Sequence, residues 1–373
     1  MRERPRVLLV GPFPPTIGGV TSFMLNLMSS PLSEEVDFVP FTTSRPPKRN
    51  LTSNWGYRSV FKGGMIRIGQ GAAITLWQLL KFPIVAWNTD VVQIQSSDYQ
   101  VFWESSVYLL WAKLLRKPVL LRLGGGAFDR FHAASPAFAR RLIERIIRMP
   151  HVLIAQSEYW REMFVRYGRS GPVLILPNWT SLAPVESGQR SSREPPTFLF
   201  IAGTEAVRKG IDEVLEAICR LRTHGVAVHC RMVAVPPVLR QRIEGMGLGD
   251  SVQMHGYLER AALFEVMRTA DVFLLPSHLE GFPNSLIEAM ALGLPSIVTP
   301  VGAIPEIVRD GGALTVPVGD PVALSDAIQR LIGDPGLRTK LGKEACGTVM
   351  RHYSPAAALP PLRRTYYALI SPA

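Results

Sequence analysis

Two carboxylates, Glu280 and Glu288, stand eight residues apart on either side of a glycine- and proline-rich turn. The apolar run at 270–275 predicts a buried strand before this turn, and residues 284–292 predict a helix after it. The first turn of a helix presents unpaired backbone N–H groups and the positive end of the helix dipole, which together favour an anion. One carboxylate could then bind hydroxyls at each end of a ligand that carries phosphate in its middle. This spacing indicates a sugar-nucleotide site, although either glutamate by itself is as well explained by a solvated charge.

A pair of cations, Arg208 and Lys209, follows the strand predicted at 197–201 and precedes the helix predicted at 212–222. A lysine offers a compact positive charge and an arginine offers a planar set of donors, so the pair is suited to bind a diphosphate. Two exposed cations beside a helix N-terminus would be mildly unfavourable with the helix dipole. That conflict is a reason to expect a functional role for them.

Glycines follow two of the strands predicted in the N-terminal half. Gly18 and Gly19 come after the strand predicted at 6–10 and open a helix, where small residues let the backbone approach a phosphate. A structural turn is the commoner reason for such a pair. Three more glycines, 124–126, follow the strand predicted at 118–123. They indicate either tight packing or the approach of a ligand at the carboxyl edge of the sheet.

The motifs around the two glutamates resemble the signature of retaining glycosyltransferases of family 4, which have the GT-B fold. The resemblance is strong over 203–320 and weak before residue 171. It implies an α/β protein of GT-B architecture, with two Rossmann-like parallel-sheet domains facing each other across a cleft. The residues that carry it are Glu280-Gly281-Phe282-Pro283, Glu288-Ala289-Met290-Ala291, Gly293-x-Pro295 and Gly302-x-x-Pro305-Glu306.

The predicted domain boundaries follow from composition and from this resemblance. A stretch rich in Ser, Pro, Gly and Arg at 181–196 predicts a linker. Residues 1–180 are predicted to form an N-terminal Rossmann-like domain that binds the acceptor. Residues 197–352 are predicted to form a C-terminal Rossmann-like domain that binds the nucleotide-sugar, and the tail 353–373 is predicted to cross back to the first domain.

The resemblance also implies roles for individual residues. Glu288 would bind the ribose hydroxyls and Glu280 the hexose hydroxyls, while Lys209 and Arg208 would neutralise the departing diphosphate. Glu280, Lys209 and Arg208 are therefore the catalytic candidates, and transfer is expected to retain the anomeric configuration. Besides Glu288, the donor-binding candidates are Gly18, Gly19, Gly203, Thr204, Gly281, Phe282, Pro283, Asn284 and Ser285.

The chain departs from the family pattern at two positions. The family usually carries a histidine near the donor sugar where this chain has Gly124, and His132 is a candidate substitute. A packed or surface histidine is the commoner role for such a residue. The family's arginine falls at Thr204, so Arg208 would supply the missing charge from a different position. On the acceptor side the candidates are Gly125, Asp129 and His132.

Length and composition bound the class of protein. A chain of 373 residues, with 47% hydrophobic and 19% charged residues, predicts two globular domains with sizeable cores. No Gly-x-Gly-x-x-Gly follows the first predicted strand, which argues against a nicotinamide-dependent dehydrogenase. The sequence holds no Asp-x-Asp pair, and its three cysteines lack zinc spacing. We therefore expect no metal and no cofactor besides the donor substrate.

The net charge of +11 belongs entirely to the N-terminal half, because residues 1–195 hold 24 Lys and Arg against 13 Asp and Glu. No nucleic-acid-binding motif accompanies this charge. The expected partners are a nucleotide-sugar, a glycan or lipid-phosphate acceptor, and an anionic membrane surface, with no nucleic acid. The basic and aromatic segment 42–71 is either a solvated loop or an interfacial segment that touches a membrane.

Two apolar stretches invite comparison with targeting or membrane segments. The run that opens the chain is shorter than the apolar region of a signal peptide and predicts a first strand. The stretch 72–87 is interrupted by Gln78, Lys81 and Pro83, and it falls short of the ~20 residues that span a bilayer. With an odd number of scattered cysteines, these features predict a cytoplasmic protein, free or peripheral on the cytoplasmic face of the membrane.

The sequence thus predicts an enzyme that transfers a hexose-type sugar, without a metal, from a UDP- or GDP-sugar to a glycan or lipid-linked acceptor. Its place would be the biosynthesis of cell-surface polysaccharide or glycolipid. Two alternatives stay open. Gly124 and Thr204 favour a catalytically silent subunit that partners an active transferase. A sugar-nucleotide epimerase on the same architecture would need the donor site but no acceptor.

Overall fold

The structure, a computed structural model, describes residues 4–14, 18–44, 77–183 and 195–370. The chain divides into two compact units. The first comprises residues 1–178 together with 358–373, and the second comprises residues 179–357. Each unit is built on a six-stranded parallel sheet with helices on it. The predicted α/β class with two Rossmann-like sheets is confirmed.

The sheet of the first unit has the strand order β2-β1-β3-β4-β5-β6, and every neighbouring pair is parallel. Its central strands are buried, as expected where helices cover both faces of a parallel sheet, and β3 and β4 bury Gln93, Gln95 and Arg122 among apolar residues. The strands are β1 (Arg6–Gly11), β2 (Asp37–Thr42), β3 (Val91–Ser96), β4 (Val119–Leu123), β5 (Val152–Ala155) and β6 (Val173–Ile175). The helices are α1 (Gly19–Met28), α2 (77–87), α3 (Tyr99–Leu114), α4 (Phe128–Ala134), α5 (Ala137–Arg148) and α6 (Glu158–Arg166).

Strand β2 has no clear signature in the sequence. Its run contains Pro40, which cannot donate a ladder hydrogen bond and argues against a central strand. In the structure β2 pairs only with β1 and lies at the edge of the sheet, where a missing donor is tolerated. Of the segment 42–71, predicted as either a solvated loop or an interfacial segment, residues 45–71 lie outside the described residues.

The sheet of the second unit has the strand order β12-β11-β10-β7-β8-β9, again with parallel neighbours. Its strands are β7 (Thr197–Ile201), β8 (His229–Val233), β9 (Val252–His255), β10 (Val272–Leu275), β11 (Ser296–Val298) and β12 (Ala313–Thr315). Its helices are α7 (Ile211–Thr223), α8 (Leu239–Gly245), α9 (Arg260–Arg268), α10 (Asn284–Ala291), α11 (Ile304–Ile307), α12 (Pro321–Gly333) and α13 (Pro335–His352).

Each sheet reverses its direction of growth at one point. In the second unit the chain runs from β7 to β8 and β9 on one side and from β10 to β11 and β12 on the other, so β7 and β10 are neighbours at the reversal. In the first unit the reversal lies between β1 and β3. The loops at such a point diverge above the carboxyl ends of the strands and leave room for a ligand. The sheet order therefore marks one candidate position in each unit.

The last helix, α14 (Pro355–Ile370), joins the first unit from Ala358 onward. Tyr366 on this helix is fully buried, and its hydroxyl donates a hydrogen bond to the Gln93 side chain on β3. Arg363 pairs with Glu35 at 2.5 Å. The end of the chain thus contributes to the packing of a sheet that the beginning of the chain builds. None of the described helices combines the length and the apolar character that crossing a bilayer requires.

Candidate functional site

A lysine and a glutamate meet beyond the carboxyl ends of β7 and β10. Lys209 Nζ lies 3.4 Å from Glu280 Oε1, and Arg208 Nη1 lies 3.8 Å from Glu280 Oε2. The Ser277 hydroxyl donates a 2.9 Å hydrogen bond to Glu280 Oε1. Glu280 is only 6% exposed, so two cations and a hydroxyl compensate its charge in place of water. The structure brings the three catalytic candidates together at the strand reversal.

Arg208 ties the loop after β7 to the loop after β10. Its Nη2 lies 2.6 Å from Glu205 Oε2, and its Nη1 donates to the Leu279 carbonyl. The backbone N–H of His278 donates to the Arg208 carbonyl at 2.8 Å. Gly203 and Thr204 lie in the short 3-10 turn that follows β7. The Thr204 side chain is outside the part of the chain that the structure describes, so compensation by Arg208 for position 204 stays a prediction.

Two glycines allow these loops to touch. Gly210 has a φ of +85°, and a Cβ there would lie 2.1 Å from the Pro276 carbonyl oxygen. Gly302, in the loop after β11, has a φ of +55°, and a Cβ there would lie 1.9 Å from the Glu280 carbonyl oxygen. Both the conformation and the space exclude a side chain at these positions. The backbone of the Glu280 loop therefore packs tightly against the loop after β7 and the loop after β11.

Helix α10 begins four residues after Glu280. Pro283 occupies its N-cap position, and neither a capping side chain nor an acidic residue offsets the positive end of the helix dipole. Asn284 and Ser285 are half-buried in the first turn. Phe282 packs edge-to-face against Tyr353 with ring centroids 5.5 Å apart, so its visible role is packing. The start of α10 has the electrostatic character that an anionic group requires.

Glu288 lies one turn inside α10, with a side chain that is 14% exposed. Arg260, at the start of α9, lies 3.4 Å from Glu288 Oε1 and stands over the Phe264 ring at 5.2 Å. Burial raises the pKa of Glu288 to about 7, and the Arg260 charge opposes that rise. A buried carboxylate whose pKa lies near neutral pH is typical of a functional position.

A second side-chain contact in this region has no signature in the sequence. His278 Nε2 lies 2.8 Å from Glu213 Oε1 and links the loop after β10 to α7. The two residues are 65 positions apart, so no periodicity joins them. Only the sheet order, which makes β7 and β10 neighbours, brings them together. His278 and Glu213 are thus residues of the site region that sequence reasoning missed.

The glycine pair of the first unit lies at the N-terminus of α1. Gly18 is the N-cap residue and Gly19 the first helical residue, with no side-chain cap and no acidic residue in the first turn. A Cβ on Gly18 would meet no atom of the described residues within 4 Å, so packing does not demand a glycine there. The approach of a donor phosphate to this turn stays a prediction.

Buried polar side chains fill the space beside Gly124. A Cβ at this position would lie 2.6 Å from Gln95 Nε2, 3.2 Å from Gln156 Nε2 and 3.3 Å from Arg122 Nη1. These three side chains come from β3, from the residue after β5 and from β4. These side chains occupy the space that a histidine side chain at residue 124 would enter. The structure thus accommodates a glycine where the family usually has a histidine.

Arg122 is the cation of this cluster and is only 1% exposed. Its Nη2 donates a 2.6 Å hydrogen bond to Asn178 Oδ1, and its guanidinium lies 3.7 Å from the centroid of the Phe23 ring. Burial lowers the pKa of Arg122 to about 9. Among the described residues, this guanidinium contacts side-chain amides and an aromatic ring. Its charge therefore contributes positive potential beneath the carboxyl ends of β3 and β4.

The acceptor-side candidate Gly125 lies against Asp98, the residue that precedes α3. A Cβ on Gly125 would lie 2.6 Å from Asp98 Oδ2, and this oxygen accepts a 2.8 Å hydrogen bond from the Ala127 N–H. Close packing between the turn after β4 and the turn after β3 therefore favours a glycine, because a Cβ there would displace the Asp98 carboxylate. The same contact brings Asp98, which the sequence did not single out, to the reversal between β1 and β3.

His132 and Asp129, the other acceptor-side candidates, both lie on α4. The His132 ring stacks on Tyr167 with centroids 3.9 Å apart, and its Nε2 lies 3.1 Å from Glu144 Oε1. These contacts match the packing role that was the commoner explanation for this histidine. Asp129 is in the first turn of α4, and its Oδ1 is buried without a hydrogen-bond partner among the described residues.

Comparison with known sequences connects the second unit to one family. Residues 195–334 match the family model described as glycosyl transferases group 1. The putative colanic acid biosynthesis glycosyltransferase WcaL of Salmonella typhimurium is 37% identical over 49% of this chain and 48% of its own length. The D-inositol 3-phosphate glycosyltransferase of Streptomyces bingchenggensis is 29% identical over 57% of this chain and 52% of its own length. The chain spans about half the length of the curated relatives it matches.

Solved structures extend the likeness to nearly the whole chain. Sucrose-phosphate synthase from Thermosynechococcus elongatus aligns with a TM-score of 0.72 at 20% identity, over 98% of this chain and 99% of that one. Anabaena HepE, solved in complex with UDP-glucose, aligns with a TM-score of 0.72 at 14% identity, over 97% and 99% of the two chains. At such identities the likeness establishes the fold.

The two doubly wound sheets and these neighbours define a two-domain α/β protein with the fold of the GT-B glycosyltransferases. Within that fold, residues 195–334 match the family model for glycosyl transferases group 1. This segment carries Lys209, Glu280 and Glu288, and the match confirms the resemblance found in the sequence.

Proposed function

We propose that the protein is a retaining glycosyltransferase that moves a hexose-type sugar from a nucleotide diphosphate-sugar to a glycan or lipid-linked acceptor. One observation carries the proposal: Lys209 and Glu280 are paired at the strand reversal, directly before the uncapped helix that holds Glu288. A cation, a carboxylate and a helix N-terminus in this order fit the phosphates and hydroxyls of a donor.

In this proposal the donor replaces the contact between Lys209 and Glu280 with contacts of its own. The diphosphate lies at the start of α10 and takes the charge of Lys209, which releases Glu280 for the hexose hydroxyls. Glu288 accepts hydrogen bonds from the ribose. When the bond between the anomeric carbon and the phosphate oxygen breaks, its electron pair stays on the diphosphate. The acceptor hydroxyl forms the new bond to the anomeric carbon on the same face, and its proton passes to the departing phosphate oxygen. Lys209, Arg208 and the helix dipole stabilise that growing charge and so lower the barrier.

The names of similar proteins support the product class and the nucleotide. WcaL is named for colanic acid biosynthesis, and a relative in Mycobacterium leprae is named phosphatidyl-myo-inositol mannosyltransferase. HepE of Anabaena was solved with UDP and with UDP-glucose. We infer a role in cell-surface polysaccharide or glycolipid biosynthesis, with UDP or GDP as the nucleotide and no divalent metal.

Binding and turnover across UDP-, GDP- and ADP-sugars test this proposal. Calorimetry and nucleotide release, each with and without EDTA, should identify one donor whose binding EDTA does not change. Lys209→Ala and Glu288→Ala should abolish that binding, whereas Lys340→Ala, on an exposed lysine of α13, should leave it intact. Binding of no donor, or binding that EDTA removes, would contradict the proposal.

The stereochemistry of the product tests retention separately. With the donor known, the anomeric configuration of the transferred sugar can be read from the coupling constant of its anomeric proton. We expect the configuration of the donor to be kept. An inverted product would leave the transferase class standing and would exclude the retaining mechanism.

A catalytically silent subunit is the second candidate, and the filled space beside Gly124 favours it. Such a subunit would keep the fold and the donor loops but would lack one contact to the reacting end of the sugar. The same panel separates the two candidates. A donor that binds tightly but is never turned over, with any acceptor or with water, would support the silent subunit.

We also place the protein at the cytoplasmic side, where nucleotide-sugars would reach it. All three cysteines are free in the structure: Cys230 is buried, and Cys219 and Cys346 are half-buried. Unpaired thiols suit a reducing compartment. Fractionation of the native cells into soluble, membrane and periplasmic extracts would test this placement.

A further inference from the structure

Helix α2 of the first unit turns a row of apolar side chains outward. Trp77, Leu80, Ile84 and Trp87 recur at intervals of three or four residues, which places them on one face of the helix. They are 66%, 60%, 71% and 70% exposed. The opposite face carries Phe82, which is fully buried in the core. This helix is therefore apolar toward the sheet and apolar toward the outside.

Helix α3 extends the same surface. Leu110 and Leu114 are one turn apart and are 52% and 71% exposed. The Tyr108 hydroxyl on α3 donates to the Gln78 side chain on α2 at 3.4 Å, and Lys117, just beyond α3, donates to the Trp87 carbonyl at 2.9 Å. The first contact joins the earlier part of α2 to α3, and the second joins the end of α2 to the region just after α3. The two helices therefore run side by side in the same direction. The α2–α3 face is defined here as Trp77, Leu80, Ile84, Trp87, Leu110 and Leu114.

The charges around the α2–α3 face are positive. Lys81 lies on α2 between Leu80 and Ile84, and Lys113 and Arg116 lie at the carboxyl end of α3; all three are exposed. The sequence has no Asp or Glu in 77–89 or in 105–118. Glu104 lies nearer the amino end of α3, where it accepts a 2.7 Å hydrogen bond from Gln100.

We propose that the α2–α3 face docks on the surface of an anionic lipid bilayer. Tryptophans favour the headgroup region because the indole ring is apolar and its N–H is polar, and here they stand near the two ends of the α2 row. The aliphatic residues between them enter the same layer, and the lysines and the arginine reach anionic headgroups. In this proposal the helices lie along the interface, since within the described residues neither helix has the length and apolarity to span a bilayer.

Charge separates this occupant from a second copy of the chain. A symmetric dimer through the α2–α3 face would bring the positive charges of two copies to one interface, and like charges across an interface oppose association. An anionic bilayer presents the opposite sign to the same residues. The inference goes beyond the proposed function and does not require it, because a membrane-docking surface can be measured without donor or acceptor.

Vesicle flotation with the full-length protein tests the inference. We expect the protein to float with vesicles of equal parts phosphatidylcholine and phosphatidylglycerol, and to stay unbound with phosphatidylcholine alone. Ile84→Gln combined with Leu114→Gln should weaken binding to the anionic vesicles by about tenfold or more. Lys81→Glu combined with Lys113→Glu should weaken it comparably and should flatten its dependence on salt.

A matched control is available in the second unit, where Val238 is 78% exposed. Val238→Gln removes an exposed apolar side chain outside the α2–α3 face and should leave flotation unchanged. Circular dichroism melts confirm that each variant is folded. As an independent measurement, the blue shift of tryptophan fluorescence on anionic vesicles should shrink when Trp77→Phe and Trp87→Phe are combined.

Three results would overturn the inference. The first is a wild-type protein that does not float with anionic vesicles, and the second is an Ile84/Leu114 variant that floats as well as wild type. In the third case, light scattering would find a dimer that the same variant converts to a monomer, which would assign the face to a second copy of the chain.

Discussion

Glu288 holds a negative charge where water is scarce, and Arg260 offsets this only in part. A carboxylate in that position destabilises the free protein when it is ionised. It is also ready to accept hydrogen bonds from ligand hydroxyls, which would replace the water it has lost. Stability and binding therefore make opposite demands on this residue, as is common at functional sites.

Glu288→Gln should separate the two demands. The pKa of this carboxyl is about 7 in the folded protein and near 4.5 when it is exposed, so its contribution to the free energy of unfolding falls as pH rises from 4.5 to 7. At pH 8 the variant should be more stable than wild type by about 1–3 kcal/mol, and the difference should shrink toward pH 5. Urea unfolding across this pH range measures it.

The same variant should bind the donor roughly tenfold more weakly at pH 8, because an amide is a poorer acceptor than a carboxylate. Glu265→Gln on α9 is the matched control, since the Glu265 side chain is 70% exposed and should change neither quantity. A Glu288→Gln protein that loses stability at pH 8 would contradict the origin of the raised pKa in burial.

Gly124 permits a second prediction at the scale of single residues. Gly124→Ala should lower the free energy of unfolding by about 1–3 kcal/mol, because its Cβ would crowd the buried Gln95 and Gln156 amides. Gln95→Ser removes the nearest amide and should recover part of that loss in the double variant. A double-mutant cycle measured by urea unfolding checks this. Strict additivity of the two changes would exclude direct contact at this position.

Residue types and spacing predicted part of the site and left part of it hidden. Lys209 and Glu280 were both selected from the sequence because each belongs to a recognisable turn motif. Their direct pairing could not be predicted from the sequence, because it depends on β7 and β10 being neighbours in the sheet. Arg122 and Gln95 lie within strands, and no local signal distinguishes a strand residue that faces a buried polar cluster from one that faces solvent.

At the scale of elements, the candidate site depends on loops that are pressed together. The loop after β11 touches the backbone of Glu280 through Gly302, and the Ala303 N–H donates to the Gly281 carbonyl at 3.2 Å. The loop after β7 touches Pro276 through Gly210. Because these contacts are between backbones, they cannot be relieved by turning a side chain. The strands therefore fix Glu280 through glycine positions on two other loops.

Gly302→Ala tests this support. The added Cβ would meet a backbone oxygen at 1.9 Å and would adopt a left-handed φ, so the Glu280 loop must move. We expect a loss of more than about 2 kcal/mol in stability and a loss of donor binding. Gly245→Ala is the control, because a Cβ there meets no described atom within 4 Å. Differential scanning calorimetry with and without donor measures both effects.

A Gly302→Ala protein that melts and binds like wild type would contradict the close approach of the loops. A protein that is folded but does not bind would show that the β11 loop positions Glu280 without being needed for the fold. Either result would be read against the Gly245→Ala protein measured in parallel.

Elements with strong local patterns were predictable, and elements defined by their neighbours were not. β7 was predicted at its observed bounds because it is a short apolar run between loops. β2 was missed because Pro40 is tolerated only at a sheet edge, and the edge position is a property of the fold. The outward row on α2 was also hidden, because an apolar stretch in a sequence does not say which side of the helix is covered.

At the scale of the whole molecule, the charged residues of the candidate donor site all belong to one unit, whereas Gly18 and Gly19 lie in the other. Lys209, Glu280, Glu288 and Arg260 lie within residues 179–357, which carry two apolar core clusters of their own. The excess positive charge lies in the other half of the chain. Donor chemistry and surface charge are thus divided between the two units.

Residues 179–357 expressed alone should fold cooperatively and bind the donor within about tenfold of the full-length affinity. Donor at a hundred times its dissociation constant should then stabilise the fragment by about 2.7 kcal/mol. Thermal melts and calorimetry measure both quantities, and the Lys209→Ala fragment is the control. A fragment that is folded but does not bind would show that the first unit supplies essential donor contacts.

The course of the chain through α14 has a consequence for biosynthesis. The second unit is one continuous segment, whereas the first unit needs residues 358–373, including the buried Tyr366. During translation the second unit can therefore finish folding while the first still lacks its last helix. The first unit therefore completes its packing only after the later part of α14, from Ala358 onward, has been synthesised.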